Sequence, residues 1–108
     1  MTLKDLQSSY SLIAKQLHQH WPLEDKDHQI FARTIKVLEE LGELADEILS
    51  SMKLQRASKV ELHTREKLED EFADTMGSLM LLAHELDIDL EKVMLRKIEF
   101  TKKRLSDL

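Results

Sequence analysis

The 108-residue chain contains no cysteine, only two glycines and one proline, and few aromatic side chains. Without cysteine, disulfides, thiolate zinc sites and cysteine nucleophiles are all excluded. The shortage of glycine and proline, together with abundant Leu, Glu, Lys and Ala, favours helix over sheet. No stretch approaches the roughly 18 consecutive apolar residues that span a bilayer, and the first residues lack the apolar run of a signal peptide. We therefore expect a cytoplasmic protein with no membrane partner.

The length allows one core, so residues 1–108 are predicted to form a single domain. Hydrophobic residues make up 42% and charged residues 34% of the chain, which suits a small helical bundle that also buries surface against another copy. The formal net charge of −5 argues against binding to a nucleic-acid backbone, which favours basic proteins. A small phosphorylated ligand stays compatible with this charge, because a bound metal ion supplies positive charge locally.

Hydrophobic periodicity predicts four main helices, and hence an all-α bundle of four to five helices. Apolar residues at steps of three and four indicate helices over about 3–20, 26–52 and 64–86, and a last one from Asp89 to about 105. Residues 53–63 have weak periodicity and are predicted to be a loop, although Ser58 starts a sequence that resembles a capping box.

The segment from residue 79 to residue 83, LMLLA, is apolar around the whole helix. A helix of this kind is buried on several sides, which one short chain hardly provides. We therefore expect the bundle to assemble as an oligomer, either a homodimer or a homotetramer.

Two acidic pairs lie inside the strongest helical segments. Glu40 and Glu43 are three residues apart on the second helix, and Glu71 and Asp74 are three apart on the third. This spacing places both acids of a pair on one helix face. If the two helices pack side by side with these faces together, four carboxylates converge and form the all-oxygen site that Mg²⁺ prefers. If they do not, the acids are ordinary solvated charge.

Electrostatic repulsion favours the first alternative. Two carboxylates about 6 Å apart repel by roughly 2–3 kcal/mol at an effective dielectric constant of 20, so four of them need a counter-ion or protons. The only glycines, Gly42 and Gly77, lie next to these pairs in helix interiors, where glycine costs about 0.5–1 kcal/mol and permits close approach of a helix or ligand.

The sequence has no Glu-x-x-His pair of the kind that zinc and di-iron bundles use, and its five histidines do not share the spacing of the acids. Oxygen ligands alone indicate Mg²⁺ as the cofactor, with Mn²⁺ as a substitute.

These segments resemble the signature of MazG-like all-α nucleoside triphosphate pyrophosphohydrolases, which carry E-E-x-x-E on one helix and E-x-x-D on a later one. Residues 38–45, LEELGELA, match the first half, and residues 69–74, EDEFAD, match the second. The turn over residues 86–93 is similar to the family's link into its last helix, and the likeness extends over about residues 30–105. The resemblance implies an oligomeric helical enzyme that hydrolyses a nucleoside or deoxynucleoside triphosphate to monophosphate and pyrophosphate.

The resemblance also implies residue roles. Water would attack the α-phosphorus while Mg²⁺ holds the triphosphate, in a reaction that serves nucleotide-pool housekeeping. The implied magnesium ligands are Glu40, Glu43, Glu71 and Asp74. Glu39 would be the catalytic carboxylate that orients or deprotonates the attacking water. The substrate-binding residues would be Lys97 and Arg104 on the last helix, with Lys36 on the face of the first acidic pair.

Some positions depart from the family pattern. Thr101 stands where members often have Asn, Leu105 and Ser106 replace an aromatic residue and proline, and Ser78 replaces an aromatic one turn after Asp74. These departures motivate an alternative: a catalytically weak or inactive helical protein that binds metal or nucleotide, or acts as a regulator. A third possibility is an oligomeric scaffold whose acids are only solvated.

Overall fold

The computed structural model describes residues 1–108 and contains five α-helices and no strands, so the all-α prediction is confirmed. The helices are α1 (Leu3–His20), α2 (Lys26–Ser51), α3 (Ala57–Leu62), α4 (Arg65–Glu85) and α5 (Leu90–Ser106). The four helices predicted from periodicity agree with α1, α2, α4 and α5 to within two residues at each end. None of the five combines the length and apolar character that crossing a membrane requires.

Side-chain caps explain where the long helices begin. The Asp25 carboxylate accepts a hydrogen bond from the backbone N–H of His28 at 2.9 Å at the start of α2. The Thr64 hydroxyl accepts one from Lys67 N–H at 3.1 Å at the start of α4, and Asp89 caps α5 in the same way. Each cap satisfies a backbone donor that has no partner inside the helix.

The prediction that residues 53–63 form a loop is wrong in part, because α3 lies within them. This helix starts after Arg56 without a side-chain cap, so Ser58 does not begin it. Tertiary contacts hold the segment instead: Asp46 of α2 accepts hydrogen bonds from Gln55 at 2.9 Å and from Lys59 at 3.1 Å. Such contacts leave no periodic pattern in the local sequence.

The antiparallel pair of α2 and α4 is the centre of the fold. At one end Lys26 of α2 forms a salt bridge of 3.2 Å with Glu85 of α4. At the middle the Thr75 hydroxyl of α4 lies within hydrogen-bonding distance, 3.3 Å, of the Glu40 carbonyl oxygen of α2. This pairing places the two acidic motifs side by side, which is the first of the two alternatives that their spacing left open.

Helix α1 packs across α4, and α5 packs against α1. Gln7 of α1 joins these elements: its Nε2 donates to the Ile88 carbonyl at 2.6 Å, and its Oε1 accepts from Leu90 N–H at 2.8 Å. One side chain therefore ties α1 to the turn between α4 and α5.

The single chain buries little of itself. Only 10 of 108 residues are buried, and no large side chain is fully buried. The accessible surface is 8312 Å², whereas a compact monomer of this mass exposes about 6,200 Å². The radius of gyration is 17.0 Å, against about 13 Å for a compact domain of this length.

Gly77 shows why one of the two helix-interior glycines is needed. A Cβ atom at this position would lie 2.6 Å from the Tyr10 hydroxyl oxygen, so the glycine lets the α1 ring reach the α4 backbone. At Gly42 a Cβ atom would meet nothing within 4 Å, so no part of this chain approaches it. The expected close approach is thus found at Gly77 and not at Gly42.

We expect Gly77→Ala to destabilise the protein by about 1 kcal/mol, because overpacking against Tyr10 outweighs the better helix propensity of alanine. In a Tyr10→Ala background the same change should be stabilising, since the obstructing ring is gone. Urea unfolding of the four proteins measures this double-mutant cycle. A Gly77→Ala effect of the same sign in both backgrounds would contradict the proposed contact.

Candidate metal centre

Three of the four predicted metal ligands come together between α2 and α4. Carboxylate oxygens of Glu40, Glu43 and Glu71 all lie within 4.8 Å of one another. Glu40 and Glu43 are one turn apart on α2, and Glu71 faces them from the antiparallel α4. The arrangement therefore follows from the three-residue spacing together with the pairing of the two helices.

The cluster is partly withdrawn from solvent and short of hydrogen-bond donors. Glu40 is only 8% exposed, and the Oε2 atoms of Glu40 and Glu71 are buried without a hydrogen-bond partner. The one cation within salt-bridge distance is Lys36, whose Nζ lies 3.2 Å from Glu40 Oε1. Buried carboxylate oxygens without donors are costly, and a cation or a proton at these atoms would lower that cost.

Proton affinities reflect the same crowding. Burial raises the pKa of Glu71 above its ordinary value of 4.5, and the nearby carboxylates of Glu43, Asp74 and Glu40 raise it further. The hydrogen bond from Lys36 to Glu40 raises the pKa of Lys36, which keeps the ammonium charged. Both shifts have the direction expected where negative charge exceeds positive charge.

The remaining predicted residues on these helices lie at the margin. Asp74 is exposed and outside the group of three, although its charge acts on Glu71. Glu39 is exposed and accepts a hydrogen bond of 3.4 Å from Lys36. Glu39 points away from the cluster because it is one residue, about 100°, from Glu40 around the helix.

Lys97 and Arg104 lie on α5, and neither forms a salt bridge with any carboxylate. The Lys97 ammonium lies 5.1 Å from the centroid of the Phe100 ring on the same helix. Because α5 packs mainly against α1, the structure does not bring these two basic residues to the cluster.

A polar cavity of about 220 Å³ adjoins the cluster and adds residues that were not among the predicted site residues. Its lining includes Lys59 and Lys67, and beside it His63 Nδ1 lies 2.7 Å from Glu47 Oε2. Lys67 precedes Glu71 by four residues on the same helix face, which is a usable signal. Lys59 and His63 reach the cavity only because α3 folds back on α2, so nothing in their spacing indicates it.

Comparison with known proteins identifies a family. A family model described as Phage regulatory protein CII (CP76) matches residues 10–88, well over half of the chain. The chain belongs to the phage regulatory protein CII family. No curated protein and no solved structure shows significant similarity to it.

Membership of the CII family overturns the identification as a MazG-like pyrophosphohydrolase. The predictions of nucleoside triphosphate hydrolysis, of an enzyme and of a hydrolase class are wrong, because the matching family is one of phage regulatory proteins. The physical reason for the error is that glutamate favours helix and acidic helix faces are common. Short acidic motifs of this kind therefore also occur in proteins that are not hydrolases. The role predicted for Glu39 depends on that reaction.

The raised pKa of Glu71 makes a prediction for this CII family member without metal. Above this raised pKa, Glu71 is ionised in the folded state and is repelled by its neighbours, which lowers the free energy of unfolding. Below about pH 4.5, Glu71 is protonated in both the folded and the unfolded state, so this loss of stability disappears. Glu71→Gln should therefore unfold at higher urea than the wild type at about pH 7.5 in EDTA, and this advantage should shrink toward about pH 4. Asp70→Asn, an exposed neighbour outside the cluster, is the control and should show no such trend.

Proposed function

We propose that this protein is a non-enzymatic regulatory protein of the phage CII type that binds a divalent cation, Mg²⁺ or Mn²⁺, between α2 and α4. The observation that carries the proposal is the pair of buried, donor-free Oε2 atoms of Glu40 and Glu71 beside Glu43. The family supports the regulatory part, and the carboxylate geometry supports the cation part.

The donor set suits a hard divalent ion. Three carboxylates supply oxygen only, which favours Mg²⁺ or Mn²⁺ over zinc, and Mg²⁺ keeps several water ligands when few protein ligands are present. Asp74 at the exposed margin is placed to act on the ion or on its water ligands rather than as a direct ligand. A bound ion would relieve the repulsion among the three carboxylates, of which Glu40 is buried, Glu71 half-buried and Glu43 exposed, and so strengthen the α2–α4 contact.

Calorimetric titration of the metal-free protein with Mn²⁺ and then Mg²⁺ tests the site. We expect one saturable site per chain in the wild type, loss of that binding in Glu40→Gln and Glu71→Gln, and unchanged binding in the control Asp70→Asn. No binding at millimolar Mg²⁺, or equal binding by Glu71→Gln and wild type, would contradict the proposed site.

A nucleotide panel tests the non-enzymatic part. Incubation with ribo- and deoxyribonucleoside triphosphates and Mg²⁺ should release neither monophosphate nor pyrophosphate above the rate of the Glu43→Gln variant. Release that depends on Glu43 would contradict the proposed regulator without catalytic activity.

A second candidate activity is contact with nucleic-acid phosphates through α5. The expectation of no nucleic-acid partner rests on the whole-chain charge of −5, but this average conceals an uneven distribution. Helix α5 carries six Lys or Arg residues against two Glu, a net of +4, and has no buried residue. Clustered basic charge on an exposed helix is the pattern that phosphate contacts use, and a regulatory family makes such a partner reasonable.

Fluorescence anisotropy with a labelled DNA duplex tests this candidate. We expect weak binding that falls with salt, and a smaller salt slope in Lys103→Glu/Arg104→Glu, by about 0.9 for each phosphate that the variant no longer neutralises. The charge-matched control Lys4→Glu/Lys15→Glu on α1 should keep the slope of the wild type. An equal reduction of the slope in both double variants would indicate an effect of net charge alone and would contradict a role for α5.

Self-association is the last part of the proposed function. The predicted homodimer or homotetramer is supported by the roughly 2,100 Å² of accessible surface that this chain exposes beyond a compact monomer of its mass.

A further inference from the structure

Helices α2 and α4 expose one continuous apolar face, formed by Leu41, Ala45, Ile48, Phe72, Met76 and Leu79. On each helix the three residues follow at steps of four and three, so they line up on one side. A groove of about 520 Å³ runs between the two helices at this face and is lined by Ile48, Phe72 and Met76. We call these six residues the α2–α4 apolar face.

The face and the acidic cluster lie on different sides of α2 and α4. Leu41 and Glu43 are two residues apart on α2, which is about 160° around the helix, whereas Phe72 and the cluster residue Glu71 are neighbours on α4, about 100° apart around it. The cluster and the apolar face therefore occupy different sides of the two helices.

We infer that a second copy of this chain covers the α2–α4 apolar face, and this rests on the self-association proposed above. Each copy brings two antiparallel helices with apolar residues on the same side, so two copies related by a two-fold axis complete a four-helix bundle. The central side chains, an aromatic, a methionine and branched aliphatics, are of the types enriched in homodimer cores.

The surface exposed by the whole chain is large enough for this occupant. A stable dimer needs about 800 Å² from each partner, and the excess surface of about 2,100 Å² per chain is more than twice that amount. Phe72 is 54% exposed and Leu41 is 50% exposed, which leaves large side chains available for burial.

Charge at the edge of the face also permits a second copy. Arg65 and Glu69 line the same groove and pair with each other at 3.7 Å. Because both signs of charge stand at the edge, two identical faces can meet without placing only like charges together.

Light scattering after gel filtration, over a range of protein concentrations, tests the inference. We expect twice the chain mass of 12.6 kDa for the wild type, and the mass of one chain for Phe72→Glu. The matched control is Phe100→Glu on α5, because Phe100 is 57% exposed and lies off the face; it should keep the wild-type mass. Leu41→Lys, with Leu95→Lys as its control, repeats the test on α2, and circular dichroism checks that each variant stays helical.

The outcomes separate the two proposals. A monomeric, folded wild type overturns self-association and this face together. A wild-type oligomer that Phe72→Glu and Leu41→Lys leave intact overturns the α2–α4 apolar face alone. Dissociation by Phe100→Glu and Leu95→Lys but not by the face variants assigns the interface to α5 and also overturns the inference.

Discussion

Lys26→Met is expected to destabilise the protein by about 2 kcal/mol, far more than the loss of an exposed lysine normally costs. Lys26 is the only salt-bridge partner of Glu85, whose side chain is 4% exposed. Removing the lysine leaves a buried carboxylate at the carboxyl end of α4, where the helix dipole also disfavours negative charge. The expected destabilisation is smaller than the full cost of an isolated buried charge. Lys26 is half exposed, so water can reach the Glu85 carboxylate once the lysine is removed.

The other half of the pair should behave differently. Glu85→Gln removes the buried charge and leaves an exposed lysine, so its cost should be under about 1 kcal/mol. Lys26→Met/Glu85→Leu should be close to the wild type, since no buried charge is left unpaired. Urea unfolding at neutral pH measures the cycle, with Lys15→Met as the control because Lys15 is exposed and forms no salt bridge. Equal destabilisation in the two single variants would show that Glu85 is not effectively buried.

Lys36→Met is expected to bind Mg²⁺ or Mn²⁺ about tenfold more tightly than the wild type. The Lys36 ammonium lies 3.2 Å from Glu40 Oε1 and supplies positive charge at the place where the proposed cation would sit. An incoming ion must displace or repel this ammonium. Removing the half-exposed charge of Lys36 should make the free energy of cation binding more favourable by on the order of 1.4 kcal/mol, which lowers the dissociation constant about tenfold.

The same substitution should weaken the metal-free protein, because Glu40 is then without the one cation that partly neutralises it. Stability should then depend strongly on added metal: thermal unfolding in EDTA should occur below the wild-type temperature, and saturating Mn²⁺ should restore most of the difference. Lys15→Met again controls for the removal of one positive charge. Weaker metal binding in Lys36→Met than in wild type would make Lys36 part of the binding site and not its competitor.

The positions of the helices could be predicted from the sequence because capping residues and hydrophobic periodicity act locally. Thr64 and Asp89 are capping residues that precede apolar periodic segments, and both begin helices in the structure. By contrast, α3 forms where hydrophobic periodicity is weak. Gln55 and Lys59 of this segment donate hydrogen bonds to Asp46 on α2, and these contacts fix its position. Contacts of this kind join residues that no spacing rule relates.

The candidate site was predictable in part for the same reason. The three-residue spacing of Glu40 and Glu43 places them together whatever the rest of the fold does. The presence of Glu71 beside them required α2 and α4 to pair in one register, which the structure provides. The functional identification did not follow from the same residues, because the acidic motif resembled a hydrolase signature and the family match over residues 10–88 is to phage regulatory proteins.

By itself the amino-acid sequence determined the all-α class, the ends of four long helices and the absence of cysteine chemistry. It also determined that the two acids of each pair share one helix face. These depend on backbone propensity, capping and helical period, which act over a few residues. Only the tertiary structure decided that Asp74 stays at the margin, that Lys97 and Arg104 lie apart from the cluster, and that an apolar face of α2 and α4 is left exposed. Those outcomes depend on which helices pack together and in which register, and that is a property of the whole chain's buried surface.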